Sequence, residues 1–141
     1  MKVYALRTPI SASLENIAAD KSISHRCAIF SLLSDKSSCV KNYLKAEDTL
    51  NTLEIVKNLG AHIEEKEDEL IITPSANLKE PGVVLECGNS GTAMRLFIGL
   101  LAAQDGFFVL SGDKYLNSRP MARIAKPLND MGAKIDGANG A

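Results

Sequence analysis

The feature that most constrains the fold of this chain is an internal repeat. Residues 59–64 (LGAHIE) recur 72 positions later as residues 131–136 (MGAKID). Two polar stretches, residues 20–26 (DKSISHR) and 88–95 (GNSGTAMR), also correspond, and the arginine that closes each lies 69 positions from the other. A near-constant offset between matching segments indicates a duplicated structural unit. Each copy is predicted to run strand, helix, strand, helix, strand, strand.

Hydrophobic periodicity predicts the elements of the first copy. One helix starts at Lys21 and carries apolar residues at helical spacing. A second helix, capped by Asp48 and Thr49, ends at Gly60. The helices are marked by Ile23, Cys27, Phe30 and Leu33, and by Leu50, Leu53, Val56 and Leu59. Strands are predicted over residues 2–6, 13–17 and 38–43, and a hairpin over residues 61–64 and 69–73.

The second copy repeats this order, with strands over residues 83–86 and 107–110. Its first helix presents an apolar face, and its second is expected to start at Ser118 and Pro120 and to be distorted in its last turn by Pro127. The helices are marked by Met94, Phe97, Ile98 and Leu101, and by Met121, Ile124, Ala125 and Leu128. No strand returns after residues 137–141, so the chain is expected to be a piece of a longer protein. The alternative is the frayed tail of a complete domain.

Composition restricts the class of function. A net charge of −1, 5% aromatic residues and no tryptophan argue against a nucleic-acid-binding surface. The longest apolar stretch, residues 93–103, is interrupted by Arg95 and is too short to span a membrane. No secretory signal pattern is present at the N-terminus, so a cytoplasmic protein is expected. The three cysteines form no metal-ligand spacing and are predicted to be buried, reduced thiols.

Both polar stretches lie at predicted helix starts, with an arginine about one turn inside each helix. A helix start offers unpaired backbone N–H groups and the positive end of the helix dipole. Lys21 at such a start opposes the dipole, which favours an anionic partner for its ammonium group. The sequence therefore predicts a site for an anionic small molecule, with a phosphorylated one favoured.

These two motifs, together with residues 118–121 (SRPM), resemble the enolpyruvyl transferase family, in particular its 5-enolpyruvylshikimate-3-phosphate synthases. The resemblance covers the whole chain and the first third of a full-length enzyme. It implies an α/β (α+β) fold, the inverse α/β prism, in which each of two domains contains three βαβαββ units. Two of the three units of one domain would be present. Residues 1–13 would be a strand and hinge belonging with the other domain, residues 14–80 the first unit, and residues 81–141 the second, incomplete unit.

The reaction that the resemblance implies is transfer of the enolpyruvyl group of phosphoenolpyruvate to the 5-hydroxyl of shikimate 3-phosphate, with release of phosphate. It implies no metal and no cofactor. Lys21 is implied as a catalytic residue that contacts phosphoenolpyruvate, and Arg119 as the clamp on its phosphate. The implied substrate-binding residues are Lys21, Ser22, Arg26, Asn89, Gly91, Thr92 and Arg119.

Four of these residues also have a plainer interpretation. Lys21 can be an exposed lysine, Ser22 a helix cap, Arg26 one half of a surface salt bridge, and Gly91 an ordinary turn glycine. Four further residues in or near the motifs are not assigned to the site. Arg95 matches the family motif, with an outer or structural role as the alternative, and Arg123 is left open. Asp48 matches an acidic position of the family but is interpreted as a helix cap, and His25 as a polar helix residue.

The resemblance carries three further expectations. Because Gly91 is present, the enzyme is expected to be sensitive to glyphosate. The 141-residue chain alone is expected to have no turnover, with weak phosphate or sulfate binding at the two helix starts. The full-length enzyme is expected to be a monomer, whereas the isolated chain would expose apolar residues such as Phe97 and Leu101 and self-associate.

Two other functions are considered. The sister transferase that acts on UDP-N-acetylglucosamine usually has Lys-Asn where this chain has Lys21-Ser22. It also usually has a reactive cysteine in the loop that here spans residues 111–118, which contains none. Both differences disfavour it. The remaining alternative is a non-catalytic anion-binding module built from the same repeat.

Overall fold

The computed structural model describes residues 2, 4–5 and 8–137. From the first helix to the last, the helices and strands follow the predicted order, but the described residues 133–137 form no strand after the last helix. The helices are α1 (Lys21–Ser31), α2 (Glu47–Asn58), α3 (Gly91–Leu101) and α4 (Ala122–Asp130). The strands are β1 (Ser38–Lys41), β2 (His62–Lys66), β3 (Glu69–Thr73), β4 (Leu85–Glu86) and β5 (Leu110–Ser111).

The strands form two small sheets, one in each copy of the repeat. In the first copy β3 lies between β1 and β2, and both pairings are antiparallel. In the second copy β4 and β5 pair in parallel, with Leu85 opposite Leu110, and α3 forms the connection between them. One hydrophobic core draws on both copies, from Ile29 and Leu59 in the first to Phe97 and Leu116 in the second.

The ends of α2 and α4 confirm the repeat at the level of hydrogen bonds. Gly60 and Gly132 follow these helices with φ angles of +105° and +106°. The next residue in each copy donates its N–H back into the helix, Ala61 to the Val56 carbonyl at 3.2 Å and Ala133 to the Leu128 carbonyl at 3.0 Å. This is a Schellman motif, in which glycine adopts the positive φ without a Cβ penalty.

The predicted strand over residues 13–17 is wrong. Asn16 has a φ of +56°, which interrupts an extended backbone, and Leu14 and Ile17 are exposed. The segment is held by a side chain, since Asn42 Nδ2 donates to the Ile17 carbonyl at 2.8 Å. Of the strand predicted over residues 2–6, the described residues 2, 4 and 5 form no strand, and the rest lie outside the described residues.

The exposure predicted for two apolar helix faces is wrong: the face expected to be buried is exposed, and the face expected to be exposed is buried. Ile23, Phe30 and Leu33 of the first helix pattern are each more than half exposed. The buried positions of α1 are instead polar or small residues and Ile29. Phe97, expected to be exposed, is fully buried, and Leu101 is 6% exposed, because both contribute to the core that the two copies share.

Smaller corrections concern helix starts and cysteines. The N-cap of α2 is Ala46, and α4 begins at Ala122 rather than at Ser118 or Pro120. Pro127 lies inside α4, and the Met131 N–H contacts both the Pro127 and Leu128 carbonyls at 3.1 Å. Because α2 ends in a similar shared contact without a proline, a distortion caused by Pro127 stays a prediction. The cysteine prediction is wrong in part. All three thiols are free, but Cys39 is exposed, Cys27 is intermediate and Cys87 is buried.

Candidate functional site

The first helix start presents three of the predicted residues. Asp20 caps α1, since its Oδ1 accepts the Ile23 N–H at 2.7 Å, and Ser22 is therefore not the cap. The Lys21 Nζ forms an ion pair with Asp48 Oδ2 from the first turn of α2, and the Lys21 side chain is half exposed. The side chains of Ser22 and Arg26 are exposed and have no hydrogen-bond or ion-pair partner in the described part of the chain.

Asp48 has a different role from the one predicted. It lies inside the first turn of α2 rather than at its cap, and its side chain is only 18% exposed. The residue three positions after the N-cap, Thr49, accepts the Ala46 N–H at 3.1 Å through its Oγ1. Thr49 therefore satisfies a free N–H group at this helix start, and the Asp48 carboxylate faces Lys21.

The second helix start is formed by the loop between β4 and α3. Gly88 has a φ of +57°, which favours glycine, and its carbonyl accepts the Asp113 N–H at 2.8 Å. Ser90 caps α3 by accepting the Ala93 N–H at 3.2 Å. On either side of Ser90, Asn89 is exposed and Gly91 is the buried first residue of the helix. Thr92 follows and is exposed.

Arg119 reaches this second helix start from a separate loop. The Asp113 carboxylate accepts the N–H groups of Tyr115 and Leu116, and Leu116 is fully buried, so the loop is anchored at both points. The Arg119 NH2 group donates to Asn89 Oδ1 at 2.8 Å. Asn89 and Arg119, which the sequence placed in one site, are therefore in direct contact.

The space above Gly91 is bounded by two guanidinium groups. A Cβ added at Gly91 would lie 2.8 Å from the NH1 of Arg95 and 3.2 Å from the NH1 of Arg119. Arg95 also donates to the Gly91 carbonyl of its own helix at 3.3 Å, which fits a structural role. The absence of a side chain at Gly91 therefore keeps both cations close to the backbone of the helix start.

His25, which the sequence suggested was an ordinary polar helix residue, joins the two helix starts. It is fully buried, with Nδ1 2.7 Å from Thr52 Oγ1 of α2 and Nε2 3.3 Å from Ser90 Oγ. Burial lowers the pKa of His25 most, nearby Lys21 lowers it further, and Asp48 partly opposes them. The imidazole is therefore neutral at pH 7.

The position of His25 in the sequence of α1 indicates that its side chain is buried. Residues 25, 28, 29 and 32 share one helical face, and all four are buried. The identity of its partners, which lie 27 and 65 positions away in the chain, was not accessible from that pattern. Arg123, a less certain candidate, is exposed on α4 without a partner among the described residues.

The arrangement suits anion binding. The N-terminal part of α1 and the N-cap of α3 are joined by the contact of His25 with Ser90, with Lys21 at the first helix start and Arg95 and Arg119 at the second. Ser22 and Arg26 make no direct contact with the second helix start. Within residues 2, 4–5 and 8–137, no group of three or more His, Cys, Asp or Glu side chains is placed to hold a metal ion. Across the same residues, every helix is too short or too polar to cross a membrane.

Comparison with known proteins identifies the family. The family model described as EPSP synthase (3-phosphoshikimate 1-carboxyvinyltransferase) matches residues 5–141. The chain is 73% identical to the 3-phosphoshikimate 1-carboxyvinyltransferase of Campylobacter concisus and 74% identical to that of Campylobacter curvus, over all 141 residues in both cases. In structure it is similar to the EPSP synthase of Acinetobacter baumannii, with a TM-score of 0.82 and 42% identity over 89% of this chain.

The chain therefore belongs to the EPSP synthase family, and its α/β enolpyruvyl transferase fold is confirmed. It spans 33% of the length of the two Campylobacter relatives and 29% of the Acinetobacter structure.

Proposed function

We propose that this chain supplies part of the site in which the enolpyruvyl group of phosphoenolpyruvate is transferred to the 5-hydroxyl of shikimate 3-phosphate, with release of phosphate. The observation that carries the proposal is the pairing of two helix starts in a chain of this family. The name of its Campylobacter relatives, 3-phosphoshikimate 1-carboxyvinyltransferase, describes the same transfer. The proposal includes a cytoplasmic location and a monomeric full-length enzyme.

The first helix start would bind shikimate 3-phosphate. Arg26 and Ser22 are exposed and unpaired among the described residues, so no internal contact has to be broken before they bind an anion. A guanidinium group can donate two parallel hydrogen bonds to a phosphate or carboxylate. Lys21 would reach phosphoenolpyruvate and take part in proton movement, with Asp48 as the partner that holds its ammonium group in place.

The second helix start would bind phosphoenolpyruvate. Arg119 would clamp the phosphate, and its hydrogen bond from NH2 to Asn89 leaves NH1 directed at the space above Gly91. Thr92 and the backbone N–H groups of the first turn would add uncharged donors. Donors fixed before the substrate arrives stabilise developing charge more effectively than water does, because they need no reorganisation during the reaction.

Kinetics of the complete protein that carries this chain test the proposal. Phosphate release is measured with both substrates present and with each omitted. Release that requires both supports the transfer, whereas release with UDP-N-acetylglucosamine in place of shikimate 3-phosphate would support the sister reaction. Anion binding without any release would support a non-catalytic module.

Arg119→Ala supplies the residue-level test. Loss of charged hydrogen bonds worth about 1.5–3 kcal/mol predicts a roughly 10- to 100-fold loss of kcat/KM for phosphoenolpyruvate. Lys57→Ala is the control, because Lys57 is an exposed cation on α2 whose ion pair with Glu54 is confined to the surface. Equal activities of the two variants would exclude the proposed role of Arg119. The isolated 141-residue chain is expected to release no phosphate.

A further inference from the structure

We propose that His25 is a positioning residue that fixes the second helix start against the first, through a directional chain of hydrogen bonds from Ser90 to the Asp48 carbonyl. The inference rests on the proposed function, because it concerns how the same two helix starts are held together. His25 is fully buried, so its role is exerted through its neighbours rather than on a substrate.

The direction of this hydrogen-bond chain follows from the number of protons that each group has to donate. The Thr52 hydroxyl donates its single proton to the Asp48 carbonyl, with 3.2 Å between the oxygens. Thr52 Oγ1 then accepts a hydrogen bond from His25 Nδ1, 2.7 Å away. An imidazole protonated at Nδ1 has its lone pair on Nε2, which accepts the Ser90 hydroxyl proton at 3.3 Å. Ser90 Oγ in turn accepts the Ala93 N–H that begins α3.

The other protonation states are disfavoured. With the proton on Nε2, Thr52 would donate to Nδ1 of the ring, and its hydroxyl bond to the Asp48 carbonyl would be lost, although that carbonyl would keep the backbone N–H of its own helix. The Ser90 hydroxyl proton would also lose its acceptor in a position that is 1% exposed. A doubly protonated ring would place a buried positive charge near Lys21 of α1, with Asp48 of α2 as the opposing charge and a neutral hydroxyl facing the ring from α3.

The chain of hydrogen bonds joins two groups of candidate site residues. At one end, Asp48 forms the ion pair with Lys21. At the other end, Ser90 lies between Asn89, which contacts Arg119, and Gly91. Removal of the imidazole would therefore let the loop of residues 88–91 shift relative to Lys21, with no direct loss of a substrate contact.

The tautomer is tested on the complete protein by NMR of histidine labelled with ¹⁵N at both ring positions. The His25 signals are assigned by their absence from the spectrum of His25→Gln. We expect Nδ1 to carry the proton at pH 7 and Nε2 to be unprotonated, which is the minor tautomer of histidine free in water. An Nε2–H tautomer or an imidazolium at pH 7 would overturn the proposal. This measurement needs no turnover, so it stands whether or not the proposed function does.

The positioning role is tested by steady-state kinetics of three variants. His25→Phe keeps a ring but removes both hydrogen bonds, and we expect the KM for phosphoenolpyruvate to rise roughly tenfold, with kcat within about threefold of the parent. His25→Gln, whose amide offers a donor and an acceptor, is expected to recover much of the loss. His62→Phe makes the same substitution at an exposed histidine of β2 and is expected to leave KM unchanged.

Two results would contradict the positioning role. One is an unchanged KM for phosphoenolpyruvate in a folded His25→Phe variant. The other is a loss confined to kcat that His25→Gln does not recover. If the parent protein itself releases no phosphate, the proposed function fails, and the NMR measurement alone decides whether the hydrogen-bond chain exists.

Discussion

At the scale of single residues, Gly91 offers the sharpest test of the site. Alanine there would place its Cβ against the guanidinium ends of Arg95 and Arg119. Because these are the far ends of flexible side chains, they can move, so the fold should tolerate the change. Gly91→Ala in the complete protein is expected to raise the KM for phosphoenolpyruvate roughly tenfold. The same crowding is expected to weaken inhibition by glyphosate.

Gly99→Ala is the matched control for Gly91→Ala. Gly99 lies in the same helix, and nothing lies within 4 Å of the Cβ it would gain. It is expected to leave both kinetic constants unchanged and to stabilise the helix by up to about 1 kcal/mol. If both variants raise KM equally, the effect comes from α3 as a whole, and crowding at Gly91 is not its cause.

The lowered pKa of His25 predicts that the folding stability depends on pH. Its pKa is lowered in the folded chain, so the folded state binds fewer protons than the unfolded state as the pH falls below about 6.5, where histidine ordinarily titrates. The unfolding free energy should therefore decrease as the pH falls from about 6.5 through the lowered pKa of the folded state. Urea titrations at successive pH values measure this slope. His25→Phe should remove that component, and an identical slope in the variant would contradict the assignment.

Roles that the motifs imply could be predicted, whereas the contacts that buried residues make between helices could not. Lys21, Gly91 and Arg119 were identified from motifs, and the structure brings Gly91 and Arg119 together. His25 and Asp48 were assigned ordinary helix roles. Their contacts cross between helices, and no periodicity within one helix specifies which side chain a buried ring will meet.

At the scale of elements, the repeat supplies a pair of positions for a stability test. Gly60 and Gly132 end α2 and α4 with the same positive φ. A Cβ at Gly60 would lie 2.9 Å from Ser75 Oγ and 3.1 Å from the Lys79 side chain, whereas a Cβ at Gly132 would have no neighbour within 4 Å. Gly132→Ala therefore isolates backbone strain, and Gly60→Ala adds crowding to it.

Both glycine variants are expected to lower the unfolding free energy. Strain of this kind costs about 1–3 kcal/mol, and Gly60→Ala should lose more than Gly132→Ala because Ser75 and Lys79 must move. Chemical denaturation of the complete protein measures both losses. A Gly132→Ala variant as stable as the parent would show that the positive φ is not retained in solution.

Elements with strong local signals were predicted well, and those that depend on a partner were not. The two Schellman motifs and the hairpin of β2 and β3 follow from glycine placement and alternation over a few residues. The segment of residues 13–17 has strand-like composition, but strands need a neighbour to pair with. Asn16 at positive φ and the side chain of Asn42 determine its conformation instead.

At the scale of the whole molecule, the question is which apolar helix face remains uncovered. The sequence identified apolar stripes on α1 and α3 but not which of them has a neighbour. In the structure, Phe97 of α3 is buried in the shared core. The uncovered face, formed by Ile23, Phe30 and Leu33, lies on and just after α1, where each residue is more than half exposed. The expectation of self-association therefore moves from α3 to α1.

The 141-residue chain is accordingly expected to self-associate through this uncovered face, because burial of apolar surface yields about 25 cal/mol per Å². Sedimentation equilibrium of the isolated chain should give an average mass that rises with concentration. The double variant Phe30→Glu/Leu33→Lys leaves the net charge unchanged and should remain monomeric over the same range. Phe107→Glu/Tyr115→Lys is the matched control, since these residues are 73% and 59% exposed outside the α1 face, and it should associate like the parent chain. A monomeric parent chain, or association that the α1 variant does not reduce, would exclude this face as the contact surface.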